Sequence, residues 1–209
     1  DENISPWVRV SQSMAGSGFG SIFIPRIGQE VIVTYLQGDP ERPIVTGCVY
    51  NGENAAPMQL PANQTQTIIR TWSSKEGTAG NELRFEDKKD AEDLYLHAQK
   101  DMTVEVENDL KTTLMKGTET HIIQEGDRSL DIQKGSEIHK VQATRQVEVV
   151  GDENHTNSAD FTHEVTGDYA LVINGALTIT VTGSITVKSD ADIDQTAGTA
   201  LSLTAGTAF

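Results

Sequence analysis

Cysteine is nearly missing: Cys48 stands alone in 209 residues, which excludes an internal disulfide framework and any cysteine-based zinc cluster. Aromatic residues are sparse at 5% and hydrophobic residues reach 36%. That is lean for a single core in a chain whose length allows one large domain or two modest ones. Something other than a thick core of its own is expected to hold part of the chain together. Positive charge is short as well. Sixteen basic against 31 acidic residues leave a formal charge of −15, which repels DNA and anionic membrane faces, so nucleic-acid binding is not expected. No apolar run approaches the roughly 20 residues that cross a bilayer as a helix, and Asp1 to Trp7 carries no signal-peptide pattern. Export, if it occurs, is expected to use no signal visible here, and the missing initiator Met reads as the mark of a fragment.

Catalytic signatures are missing too. There is no GxSxG, HExxH or phosphate-binding glycine loop. Cys48 lies in an apolar strand with no neighbouring cue for activation. Carboxylates crowd at Glu86, Asp87, Asp90, Glu92 and Asp93, but glycoside hydrolysis needs two held across a cleft with one in an apolar pocket. "FEDKKDAED" is a lysine-interleaved run that reads as a solvated loop. The expectation is a non-enzymatic protein with no cofactor.

What is present is a period. From Gly135, steps of eight reach Ala143, Gly151, Ala159, Gly167, Gly175, Gly183 and Ala191; two earlier steps of nine link Gly117, Gly126 and Gly135. Within a unit the apolar residues occupy the third, fifth and seventh places, as in Tyr169, Leu171 and Ile173, then Leu177, Ile179 and Val181. That alternation belongs to a strand with one buried face, and a 3.6-residue helix would scatter it. The remaining places are mostly Thr, Asn, Gln, Glu or Lys, and each octad reads as a short strand ending in a corner that Gly or Ala can turn. A single such chain leaves both its apolar stripe and its backbone edges without partners. Hexapeptide β-helices step by six, and the GGxGxD signature of calcium-binding rolls is not found. An octad is too short to circle a three-sided core, so three chains winding together are the expected closure, an obligate homotrimer. Each octad would advance the shaft by about 4.8 Å, giving on the order of 60 Å over roughly twelve strands from Leu110 to Phe209.

His139, His155 and His163 hold the fifth place of their octads, and His121 holds it in its nine-residue unit. All four are expected to point inward, where threefold rings of histidine could hold a metal or an anion. Neutral histidines satisfied by one another and by trapped water account for the same positions without an ion. That is the preferred reading, and no metal is assigned. Glu137, Arg145 and Glu153 hold successive third places, so charged layers that fix register between chains are expected beside them.

Upstream the texture changes. Trp7 to Tyr50 reads as four or five strands, among them "WVRVSQSM", "AGSGFGSIFIPRIG" (15–28), "QEVIVTYL" and "IVTGCVY", with Val31, Val33 and Tyr35 alternating against Ile32, Thr34 and Leu36, and "GDPERP" as a turn. A small barrel of the OB type fits fifty such residues. Arg9, Arg26 and Arg42 are spread apart and few aromatics accompany them, so an adaptor is expected rather than an oligonucleotide or sugar binder. Asn51 to Thr67 reads as an extended connection. The expected fold is all-β, with an OB-type barrel over 1–58, a connector or neck over 59–109, and a triple-stranded β-helix over 110–209.

"IPRIGQEVIVTYLQGDPERPIVTGCVYN" (Ile24 to Asn51) and "NELRFEDKKDAEDLYLHAQKDM" (Asn81 to Met102) closely resemble the VgrG spike proteins of bacterial type VI secretion systems. That family is similar to the central spike of contractile phage tails, and in it an OB domain leads into a triple-stranded β-helix. The resemblance implies a trimeric needle on a tube of stacked hexamers, driven through a target membrane by sheath contraction with effectors aboard. A PAAR-type protein at the tip, assembly in the bacterial cytoplasm, and export without a signal peptide are also implied. Phage relatives can carry a lysozyme domain between barrel and shaft, but Ala62 to Glu92 is too short to hold one. A phage tail-spike or baseplate protein shares the architecture; a trimeric adhesin stalk would need a secretion signal and membrane anchor.

Overall fold

The computed structural model describes residues 7–204 and 206. The chain divides into two units, Asp1–Ile122 and Ile123–Phe209. Among the described residues the regular structure is β-sheet with one 3-10 turn, as the alternating sequence requires.

The first sheet has the order β1 (Arg9–Val10), β3 (Pro43–Val49), β2 (Glu30–Tyr35), with β1 parallel and β2 antiparallel to β3. β3 lies between the other two, and its Val45 is the one buried hydrophobic residue among those described, 8% exposed. The "GDPERP" turn forms as the residues dictate. A 3-10 turn (Leu36–Gly38) puts Gln37 and Gly38 at positive φ. Asp39 then accepts the Glu41 amide on Oδ1 at 3.0 Å, and the Leu36 amide closes the loop on the Arg42 carbonyl at 3.1 Å.

"AGSGFGSIFIP" differs from the strand expected there. It makes one bridge, Ala15 to Gly20, and is held open by Gln12, whose amide group accepts the Phe23 N–H at 2.8 Å and donates back to the Phe23 carbonyl at 3.2 Å. Glycine is required at Gly20: φ is +142°, and a Cβ would stand 2.5 Å from the Met14 carbonyl oxygen.

Residues 59–109, expected as a connector, contain a second sheet. β4 (Gln66–Arg70), β5 (Glu82–Glu86) and β6 (Asp93–His97) form an antiparallel meander. The preceding segment is pinned, not loose: Asn51 Oδ1 accepts the amides of Glu53 and Asn54, and Asn54 donates to the Gly28 carbonyl. Of the run 85–93 expected as a solvated loop, residues 87–92 form the turn into β6, whereas Phe85 and Glu86 end β5 and Asp93 opens β6, where the ladder pairs them.

From Gln99 to Thr204 every described residue is exposed, and the chain runs extended between evenly spaced bends. Bends fall at 99–100, 107–108, 116–117, 124–126, 133–135, 142–143, 150–151, 158–159, 166–167, 174–175, 182–183, 190–191 and 198–199. Those from 116–117 to 190–191 are the corners that the Gly/Ala period marks. Among the described residues no backbone-to-backbone hydrogen bond falls in this stretch.

Candidate functional site

An unpaired strand must place its N–H and C=O groups somewhere, so the functional question for this chain is what covers its open faces and edges. Two such faces stand out among the described residues.

The second sheet is two-faced. Its register puts Ile69, Leu83 and Leu96 in one row and Thr67, Phe85 and Leu94 in the next, on one side. Ile69, Phe85, Leu94 and Leu96 are 41–65% exposed, and Leu83, in the middle strand, is half-buried. The opposite side satisfies itself. Glu82 is 8% exposed and accepts from Arg70 Nε at 2.6 Å and Arg84 Nη1 at 3.1 Å, Arg70 also donates to the Pro57 carbonyl, and Arg84 lies 4.7 Å over the Tyr95 ring. Glu86 accepts from Thr65 Oγ1 at 2.5 Å and Gln66 Nε2 at 3.0 Å; those bonds, the Thr65 hydroxyl first, hold its carboxyl below the usual range.

The repeat is also two-faced. In the octads the third-, fifth- and seventh-place apolar residues are 42–71% exposed, whereas Ile138, Val150 and Val172, at other places, reach 76–98%. The face is continuous from unit to unit. His155 packs edge-on against Phe161 with ring centroids 5.1 Å apart, and His163 against Tyr169 at 5.2 Å. In each pair the fifth place of one octad meets the third place of the next. His121 and His139 lie on the same face by another contact, each with its Nε2 on the carboxylate two residues earlier, Glu119 or Glu137.

The corners separate the glycines. Gly117, Gly126 and Gly135, the nine-residue steps, have φ of +99°, +106° and +139°, whereas Gly151, Gly167, Gly175 and Gly183 do not lie in that region. A Cβ at any of the latter four would meet nothing within 4 Å. Left-handed backbone thus explains glycine in the long steps, and its ordinary φ lets Ala143, Ala159 and Ala191 stand in for glycine in the short ones.

Two further placements bear on chemistry. Cys48 is an exposed thiol on β3. Among the described residues of one chain, no three His, Cys, Asp or Glu side chains gather as a metal site.

The family described as the bacteriophage T4 gp5 C-terminal trimerisation domain matches residues 67–188, the second sheet and most of the repeat. The chain belongs to that family. Its front part, residues 1–50, matches the type VI secretion system/phage-baseplate injector OB domain. The fold is therefore all-β, an OB domain followed by a trimerisation domain, and the open faces fit a β-helical trimer. Similar relatives include three type VI secretion system spike proteins of Pseudomonas aeruginosa. VgrG1b is 59% identical over 111 residues, which is 52% of this chain and 15% of that protein. VgrG1a is 58% identical over 111 residues, 52% of this chain and 17% of that protein. VgrG5 is 44% identical over 127 residues, 61% of this chain and 16% of that protein. The chain thus spans about a sixth of the length of these relatives, and a trimerisation-domain family member is what the match establishes.

Sequence reasoning missed the apolar face of β4–β6 and the Glu82 cluster. The alternation in "NELRFED" and "EDLYLHA" was the available signal, obscured because the intervening places are charged.

Proposed function

We propose that this chain is the barrel-and-shaft part of a membrane-puncturing spike in a contractile injection machine, a rigid homotrimeric needle that helps deliver effectors. The observation that carries the reading is the run from Gln99 to Thr204: extended, bent every eight or nine residues, exposed throughout and without a backbone partner of its own. The area of the chain agrees. It exposes 21589 Å², against roughly 9500 Å² for a compact monomer of its mass. Such a chain is half of a ladder whose other half is supplied by copies of itself, and threefold closure puts the third, fifth and seventh places inside.

Mechanical function follows from that closure. Strands shared among three chains separate only if many backbone bonds break together, so the shaft resists compression and denaturation. The apolar face of β4–β6 would be covered in the same assembly. The role is structural and non-enzymatic. A tube of hexamers beneath, a PAAR-type tip protein above, effectors as cargo and brief contact with a target membrane complete the assembly, with export by the machine itself from the bacterial cytoplasm. A phage baseplate role shares this architecture, and the OB family's description includes it; the relatives' names favour the secretion machine.

Light scattering on the purified chain tests the reading. A species of about 68 kDa, three chains of 22.7 kDa, that survives unheated SDS is expected. A folded monomer of 22.7 kDa would sink it.

A further inference from the structure

The four inward histidines are of two kinds. Nε2 of His121 lies 2.7 Å from Oε1 of Glu119, and Nε2 of His139 is in contact with Oε1 of Glu137. His155 and His163 pack against Phe161 and Tyr169 instead. Spacing alone hides the difference, because Glu153 precedes His155 by the same two residues.

An ionised carboxylate only accepts hydrogen bonds. In the pairs of the first kind Nε2 therefore donates toward the glutamate, and Nδ1 is the nitrogen left for another partner. That is the arrangement of a metal-binding histidine, one nitrogen for the ion and the other N–H on a carboxylate that fixes ring and tautomer. One chain cannot finish such a site, since no three ligand-type side chains gather among its described residues. The inference thus rests on the trimeric reading. On a threefold axis three copies of an inward residue meet at one height, and three imidazole nitrogens with a water complete a tetrahedral set suited to zinc.

The third places of successive units run Glu119, Arg128, Glu137, Arg145 and Glu153, which leaves one uncompensated negative charge per chain and three per trimer over the series. Uncompensated charge inside a shaft is costly, and a divalent cation offsets most of it. Exposure separates the two rings: Glu137 is the less exposed carboxylate, 44% against 63% for Glu119.

We propose that the three His139 side chains of the trimer hold one divalent transition-metal ion of the zinc type on the shaft axis, with Glu137 as the positioning residue that orients each ring. His155 and His163 then serve as aromatic-packed layers without an ion. This replaces, for His139, the ion-free reading that spacing favoured.

The test is the metal content and mass of the untagged full chain purified from zinc-supplemented cells. One zinc per three chains is expected in the wild type and in His121→Gln, and none in His139→Gln. Glu137→Gln should keep the trimer and weaken zinc about 10–100-fold in competition with a chelator, as loss of an outer-shell carboxylate does. Protein from cobalt-supplemented cells should show the visible absorption of a tetrahedral cobalt site, and His139→Gln should abolish it. A wild-type trimer of about 68 kDa, three chains of 22.7 kDa, with no zinc and no cobalt band overturns the site while leaving the trimer standing; so does zinc retained in His139→Gln. A wild-type monomer overturns the trimer and the site together. If His139→Gln does not assemble, wild-type stoichiometry and the cobalt spectrum decide alone.

Discussion

The second sheet and the repeat are written in the same alternation, yet one pairs with itself and the other does not. β5 and β6 are joined by residues 87–92, enough chain to reverse direction, and their ladder closes from Glu82↔His97 to Glu86↔Asp93. The octads are joined by two-residue bends that step the chain onward. Asn174-Gly175 is informative here. Asn-Gly between alternating apolar runs is the strongest local hairpin signal, and the tight turn it favours needs positive φ at both residues. Neither residue has positive φ, so the chain continues. Side-chain alternation specifies a strand; the corner decides whether its partner is the same chain or another.

The comparison breaks most sharply at Ile179. Ile179 and Thr180 are neighbours, and both are exposed in the isolated chain. If the repeat acted alone, aspartate would be tolerated at either. In a trimer Ile179→Asp places three carboxylates at one level of an apolar interior, each costing several kcal/mol, so the trimer should be lost in light scattering. Thr180→Asp, facing out, should leave mass and SDS resistance unchanged. Equal behaviour of the two variants would sink the assignment of faces.

In the self-paired region the corresponding weak point is Glu82. It is buried between Arg70 and Arg84, each about one-third exposed or less. Removing one partner of a buried pair costs about 3–5 kcal/mol, and the partial exposure of the arginines puts Glu82→Ala near the bottom of that range. Chemical denaturation followed by Trp72 fluorescence measures it. A cost below about 1 kcal/mol would make the cluster equivalent to a surface ion pair.

Much of this was legible in residues. The octad corners, the "GDPERP" turn and the middle of the "FEDKKDAED" run stand where the sequence puts them, because Gly, Pro and Asp act through their own backbone geometry; the ends of that run joined the ladder instead. The Glu82 cluster was not legible, since Arg70 lies twelve residues away and meets Glu82 only once β4–β5 register is set. Nor were the two kinds of histidine: His139 and His155 share a place in the octad and a preceding glutamate, and their contacts alone separate them. The expected strand within 15–28 failed for a local reason. Gly18 and Gly20 both adopt positive φ, which turns the chain before a ladder can form.

Corner geometry offers a smaller, sharper contrast. Gly126 has φ of +106° and Gly175 does not lie in the left-handed region, while a Cβ at either meets nothing within 4 Å of its own chain. Gly126→Ala should therefore cost about 1–2 kcal/mol per chain from backbone alone, and Gly175→Ala should stay within about 0.5 kcal/mol. Thermal unfolding of the two variants reads the difference. A large cost at Gly175 would mean that a neighbouring chain crowds that corner.

The smallest effect concerns Glu86. Its carboxyl is held below the usual range, first by the Thr65 hydroxyl and then by the Gln66 amide. A depressed folded-state value means that the group contributes stability above its unfolded pKa, and that this contribution is lost as pH falls through the lower folded value. The residue is only half-buried, so the contribution is minor and salt-sensitive. Thr65→Ala removes the leading cause. In a carboxyl-carbon NMR titration the Glu86 midpoint should rise toward that of an ordinary glutamate. A Glu86 midpoint that does not move would show that Gln66 holds the carboxylate without Thr65, and that the β4–β5 edge is fastened by the amide alone.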